Sequence, residues 1–336
     1  MSGSEVPYQI RPNKTVDRQI FIDLLSRINT FRDIRQYTYV GFGGPTLEDF
    51  KLMHSHFGNE RMISLEEDET TYHRQKFNNP LSCIKLLNIS SYHFIVGYAD
   101  YLKGKPAIVW LDYASPRNIK EQLQEFQKLL SKTECYDIVK LTLNANPQYW
   151  EDVGLREFKE SQQTLTPEDR QVLRFLMFEK NLQPFIPDWV ESTHMGKNYP
   201  SVLVGVLYKA AVSDNDQNGF VFTPLTAFYY QDSLHQMLTL TGIVLDEANE
   251  ESFYQQTSIK EWDLAMQDWY SKPKKIALPS LSVKEKIYID KYLPNNIRAL
   301  LKNKTLHRLL GKNAEEILRN YIQYYRYYPN FHKVFF

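Results

Sequence analysis

"YVGFGGPTLEDF" (residues 39–50) puts an apolar run, three glycines in four positions and a helix start end to end. Gly41, Gly43 and Gly44 mark a place where the main chain must turn tightly or let something approach closely. Upstream, "TVDRQIFIDLLSRI" (15–28) spaces Val16, Ile20, Leu24 and Ile28 by four, the stripe of an amphipathic helix. "YTYVGF" then reads as a strand. Downstream, "TLEDFKLMHSHFG" offers Thr46 as N-cap with Asp49 three residues on, an acidic variant of the capping box. Leu47, Phe50, Met53 and Phe57 are its buried stripe, and Gly58 is its stop.

The alternation goes on. "RMISL" is a second strand, with a helix through "TTYHRQKF" ending near Pro80. "CIKLLN" is a third strand. "AIVWLD" is a fourth, almost wholly apolar as in a strand covered on both faces. Ser115 and Pro116 start a helix with Ile119, Leu123, Phe126 and Leu130 inward, and "DIVKLTL" is a fifth strand. Strand and helix alternating from 15 to about 145 predict an α/β fold, a doubly wound and mostly parallel sheet.

The pattern then changes. Residues 147–198 read as a mainly helical insertion, with Thr166, Pro167 and Asp169 opening one helix. "SVLVGVLYKAA" and "FVFTPLTAFYY" read as two strands across the polar turn "VSDNDQNG", which predicts an antiparallel hairpin at 201–230. From about 247 the chain reads as helical, with capping boxes at Ser258/Glu261 and Ser282/Glu285 and a linker at "YSKPKKIALPSLS". The expected organisation is an α/β domain over 1–235 and a helical C-terminal domain over 247–336.

The 336 residues are 43% hydrophobic and 24% charged, ordinary globular values. Forty basic residues balance forty acidic ones, against a broad nucleic-acid groove. Two cysteines, Cys83 and Cys135, make neither a zinc site nor a disulfide framework, and with no signal peptide or spanning segment visible a cytoplasmic setting is expected. His54 and His56, two apart on a helix, point to different faces, so no metal is expected.

Three ligand classes use a glycine loop after a first strand. A P-loop needs lysine after the last glycine, where Pro45 and Thr46 stand. A dinucleotide fingerprint needs a glycine at Thr46, and Glu48 and Asp49 put negative charge where a pyrophosphate sits; an NAD(P)-dependent oxidoreductase is the alternative this leaves. The third class is S-adenosylmethionine. It needs close backbone approach after strand one and a carboxylate at the end of strand two for the ribose hydroxyls. In "MISLEEDE" Glu66 stands there, 23 residues after Gly43, with Glu67 beside it.

Through "YVGFGGPTLEDF", "MISLEEDE", "FNNP" and "IVWLDY" the chain resembles class I S-adenosylmethionine-dependent methyltransferases, and more narrowly a group of O-methyltransferase-like proteins, over roughly residues 8–232. The resemblance implies a Rossmann-like, seven-stranded sheet whose last two strands form a hairpin with strand seven antiparallel. It implies methyl transfer to an oxygen or nitrogen of a small molecule or nucleotide. Pro45 stands where the usual G-x-G-x-G loop has its third glycine, so a methyltransferase-like binding or assembly protein is a second expectation. The resemblance puts Gly41, Phe42, Gly43, Gly44, Glu66 and Glu67 at the cofactor, and Asn88 and Ser90 at its adenine unless they are ordinary loop residues. Asp112 and Tyr113 border the methyl group; Asp112 would accept or orient a substrate proton, or merely cap the next helix. Asp-Tyr-Ala-Ser is not the Asp/Asn-Pro-Pro-aromatic tetrad of the amino-methylating DNA enzymes. Asn144, with Asn146, would line the acceptor pocket or form a turn. Arg11, Lys14 and Arg18 would hold a carboxylate or phosphate, or form a solvated basic face. Tyr321, Tyr324, Tyr325, Tyr327 and Tyr328 make a helical stripe for packing on the sheet domain or on a second subunit or partner; base stacking with Arg326 and Lys333 is the lesser alternative.

Overall fold

The computed structural model describes residues 11–158, 165–212, 220–232 and 235–329. Its strands are β1 (Thr38–Gly41), β2 (Met62–Leu65), β3 (Ile84–Leu87), β4 (Ala107–Asp112), β5 (Ile138–Asn144), β6 (Phe220–Gln231), β7 (Gln236–Asp246) and β8 (Lys274–Ile276). They form one sheet in the order β3-β2-β1-β4-β5-β7-β6-β8, in which β7 alone runs antiparallel to its neighbours. Strand order reverses between β1 and β4, and a crevice opens beyond the carboxyl ends of the strands at such a point.

Helices cover both faces. They are α1 (Pro12–Ile28), α2 (Glu48–Phe57), α3 (Glu69–Asn78), α4 (Ser91–Val96), α5 (Tyr98–Leu102), α6 (Ile119–Leu130), α7 (Gln148–Phe158), α8 (Pro167–Leu182), α9 (Tyr199–Val212) and α10 (Glu247–Thr257), then α11 (Val283–Asp290), α12 (Ile297–Leu301), α13 (Lys304–Leu310) and α14 (Ala314–Tyr324). The period of two divides β4 between two cores. Val109 and Leu111 pack with Leu123 and Phe126 of α6 and Leu203 and Leu207 of α9. Ile108 and Trp110 pack with Ile20 and Leu24 of α1 and Phe50 of α2.

The expected strand at 201–211 lies within helix α9, a correction with a plain cause. Val202 to Leu207, Ala210 and Ala211 are all buried, so the segment is apolar all round and carries no period to separate helix from strand. Its length suits a buried helix, and burial outweighs the β-preference of its valines. The hairpin exists one element later, as β6 and β7. Most of the expected turn, 213–219, lies outside the described residues.

Local signals had mixed outcomes. The boxes at Thr166/Asp169 and Ser282/Glu285 cap α8 and α11. Thr46 caps nothing: it closes a 3₁₀ turn, and Leu47 precedes α2 with a left-handed φ of 53°. Ser258 is not a helix start but the left-handed end of α10. Helix α6 begins at Ile119, after Asn118 rather than Ser115. The linker at 270–282 contains β8, paired parallel to β6. Helix α1 lacks a local side-chain cap; Asp232, at the far end of β6, accepts instead from the amides of Asn13 (3.0 Å) and Lys14 (2.7 Å). The tyrosine stripe is used within the chain: Tyr321 and Tyr324 are fully buried, and Tyr324 donates to the Lys275 carbonyl at 2.9 Å. Ile289, Leu300, Leu306, Leu318 and Tyr321 form a small core of their own.

Gly43 answers a packing demand. Its φ of −72° suits any residue, but a Cβ there would lie 2.3 Å from Leu47 Cδ2 and 2.6 Å from Ser64 Oγ. Gly43→Ala is therefore expected to cost about 1–3 kcal/mol of stability, the usual range for overpacking. Urea unfolding checks it; a midpoint equal to wild type would show that the turn yields freely.

Candidate functional site

At the switch point lies a cleft of about 540 Å³, walled by Phe42, Leu65, Glu66 and Glu67, by Ile89, Ser90 and Ser91, by Asp112 to Ser115, and by Asn118, Glu121, Gln122 and Glu125 of the α6 region. Parallel β1, β2 and β4 deliver the first and third groups because their ends are in register: Gly41 pairs with Ser64 on one side and Trp110 on the other.

Glu66 lines the cleft half-buried, and its Oε1 accepts from the amide of Asp68 at 3.0 Å. Loss of water raises its pKa above the ordinary value, against the pull of that hydrogen bond. Glu67 is exposed on the same wall. Phe42 stacks edge-on to Tyr113, ring centres 5.6 Å apart. The three glycines stand behind Phe42 rather than in the wall. Gly44 has a φ of +52°, which glycine adopts without strain. Gln75, fully buried, accepts from Ser64 Oγ at 3.1 Å beneath Gly43, and Asn78 donates to the Pro45 carbonyl at 2.7 Å. Ser90 caps α4, its hydroxyl 2.8 Å from His93 Nδ1. Asn88 sits outside the lining, donating to the carbonyls of Glu66 (2.8 Å) and Glu67 (3.3 Å), so it shapes the turn that presents them.

Asp112 ends β4 about 15% exposed, 2.8 Å from Lys14 Nζ. Burial alone would raise its pKa; the Lys14 ammonium, with Arg18 and Lys140 farther off, brings it below the ordinary value instead. Tyr113 donates to Glu125 at 2.5 Å, and burial beside that carboxylate pushes its phenol well up. Asn144 donates to the Ala114 carbonyl at 3.3 Å and accepts from the Asn146 amide at 3.0 Å; it braces the β4–α6 loop and forms the turn before α7. Arg11 precedes α1, its carbonyl accepting from Thr15, and is not part of the cleft wall.

Two groups of residues escaped the sequence. One is the acidic face of α6, where Glu121 and Glu125 share a side by their spacing of four. The other is a buried ionic seam on α1. Lys140 of β5 donates to both oxygens of Asp17 at 2.9 Å, Thr239 of β7 donates to Asp17 at 2.8 Å, and Arg18 grips Asp49 of α2 through two nitrogens, one at 3.0 Å. Arg18 is thus no solvated face. The available signal was Lys140 inside an apolar strand run and Asp17–Arg18 between Val16 and Ile20. Among the described residues no three His, Cys, Asp or Glu side chains gather as a metal site, and His54 Nδ1 lies 2.8 Å from the Asn59 carbonyl.

A family model described as "Putative O-methyltransferase" matches residues 6–336. The chain belongs to this family. Among solved structures it is similar to Trm1 from Pyrococcus horikoshii in complex with S-adenosyl-L-methionine (13% identity, TM-score 0.40), over 71% of this chain and 56% of that one. It is also similar to an S-adenosylmethionine-dependent methyltransferase from Anabaena variabilis (10%, TM-score 0.38, 70% and 86% covered) and to a geranyl diphosphate methyltransferase in complex with the same cofactor (12%, TM-score 0.33, 68% and 85%). A search of curated proteins returned no match.

S-adenosylmethionine is the cofactor to which this family points, and the wall suits it. The wall carries five carboxylates (Glu66, Glu67, Asp112, Glu121 and Glu125) and no Lys, Arg or His of its own. Such a lining favours a cation and repels a pyrophosphate.

The Lys14–Asp112 pair has a pH signature. Asp112's folded pKa lies below its unfolded one, so the pair's stabilisation is present at neutral pH and is lost as pH falls through the acid range below about 4. Lys14→Met is expected to cost about 1–3 kcal/mol at neutral pH, the penalty of a half-paired buried charge. The deficit should shrink as pH falls below about 4 and Asp112 of the wild type takes up its proton. Denaturant unfolding at pH 7 and at successive steps below pH 4 measures this, and a pH-independent difference would assign the loss to packing.

Proposed function

We propose that the acidic cleft binds S-adenosylmethionine and that the protein transfers a methyl group to an oxygen or nitrogen acceptor, acting in the cytoplasm. The observation that carries this is a wall at the strand-order switch whose charged groups are all carboxylates, with Glu66 at the end of β2. Bound there, the cofactor would supply an already activated methyl group on a sulfonium. The chain's own part is to hold and orient. Glu66, with Glu67 as neighbour, accepts from the ribose hydroxyls. Ser90 and the turn fixed by Asn88 border the adenine. Phe42 and Tyr113 give apolar faces, and the turn built on Gly41, Gly43 and Gly44 holds Phe42 toward the amino-acid end. Asp112, kept ionised by Lys14, is the group that orients or accepts an acceptor proton, and orientation is the larger share of what such a site contributes.

A second reading, a binding or assembly protein on the same fold, draws on two observations. Pro45 replaces a loop glycine, and Lys14 already engages Asp112.

Isothermal titration separates the readings. S-adenosylmethionine and S-adenosylhomocysteine are expected to bind at micromolar Kd, with NAD and NADP silent. Glu66→Ala should weaken both by about tenfold or more, the worth of hydrogen bonds to a charged group. No binding of either compound would remove the methyltransferase assignment.

A further inference from the structure

Beyond the β4–α6 loop lies a second cleft, of about 660 Å³. Pro116 and Arg117 of that loop, Tyr149, Asp152, Leu155 and Arg156 of α7, and His235 just before β7 form its wall. Its charge is opposite to that of the first cleft. Two guanidinium groups and an imidazole face a single carboxylate. Among the described residues the Arg117 guanidinium makes no hydrogen bond, and Arg156 uses only Nε, which donates at 2.9 Å to the Asp152 carbonyl one turn back. The free planar forks match a carboxylate or a phosphate in two-pronged geometry. Tyr149, edge-on to Trp150 with ring centres 5.0 Å apart, and buried Leu155 add an apolar surface beside them.

We propose that this cleft binds a small molecule with an apolar ring and an anionic group, carboxylate or phosphate. Arg117 and Arg156 hold the anion, and Tyr149 and Leu155 lie against the ring. This anion site does not rest on the methyltransferase reading. The two pockets share one short loop, with Asp112 to Ser115 walling one and Pro116 and Arg117 the other. Opposite charge sorts the ligands: the cation is repelled from the arginines and the anion from the carboxylates.

Titration calorimetry on the full chain, with and without S-adenosylhomocysteine, tests this with benzoate, phenyl phosphate, inorganic phosphate, benzyl alcohol and benzylamine as probes. Benzoate or phenyl phosphate is expected to bind, and benzyl alcohol and benzylamine to bind at least about tenfold more weakly, as loss of a charge-assisted contact implies. The relative strength of benzoate and phenyl phosphate distinguishes the carboxylate from the phosphate source. The exposed pair Arg117→Gln/Arg156→Gln should lose the anion by a similar factor while binding S-adenosylhomocysteine as wild type does. Anion binding unchanged in the double variant, preference for the alcohol or amine, or no anion binding at millimolar concentration would overturn the proposal. Silence with S-adenosylhomocysteine alongside intact, arginine-dependent anion binding would remove the methyltransferase reading and leave the anion site standing.

Discussion

The buried seam between α1 and the strand ends fixes where everything else in the site stands. Lys14, Asp17 and Arg18 lie at i, i+3 and i+4, on one face of α1, and each meets an opposite charge on a different element: Asp112 of β4, Lys140 of β5 and Asp49 of α2. Desolvating such pairs costs nearly what their attraction returns, so the seam is a weak source of net stability. Its effect is positional. An apolar α1 could slide on the sheet by a turn at little cost; one with three charge partners cannot without stranding buried ions. Burial lowers the Lys140 pKa against the pull of Asp17, and the same lysine stands 4.5 Å from the centre of the Trp110 ring. Asp232 closes the arrangement by capping α1 from the end of β6.

With α1 fixed, the glycine segment can be understood as a corner. Three glycines meet different demands there: Gly43 admits Leu47 and Ser64, Gly44 supplies a positive φ, and Gly41 lies 3.3 Å, at a built Cβ, from the Trp110 carbonyl. Leu47 takes a left-handed conformation that costs a β-carbon about 1–2 kcal/mol. Its complete burial, worth about 1.5–3 kcal/mol for a leucine, offsets that cost. The corner therefore holds Phe42 forward and the helix start back. The cleft wall is made of the side chain between the glycines, not of the glycines.

Much of this was legible because it depends on short-range pattern. β4 emerged with its residue bounds intact, since an apolar run ending in Asp leaves little choice, and Glu66 could be placed from the end of β2 alone. Other features depend on partners distant in sequence. α9 is apolar all round, so its period vanished; β7 went unread because a hairpin placed one element early had already taken β6 as its second strand. The seam joins residues 31 to 222 positions apart, and each of its charges looks ordinary alone. The box at Ser258 satisfied the local rule and failed because the chain there was already leaving α10.

The β4–α6 loop is also fixed from several elements at once. Its first residues follow directly from a central strand and its last from a helix whose stripe of Ile119, Leu123 and Phe126 is fixed in the core. Asn144 holds the middle through the Ala114 carbonyl, and Gln122 donates to the Ser115 carbonyl at 2.8 Å. A loop pinned at four points separates two clefts of opposite charge without needing length. Substitutions at Asn144 or Gln122, which carry no charge and make no ion pair, would therefore act on both clefts at once by loosening their common wall, whereas changes at Glu66 or Arg117 act on one side only.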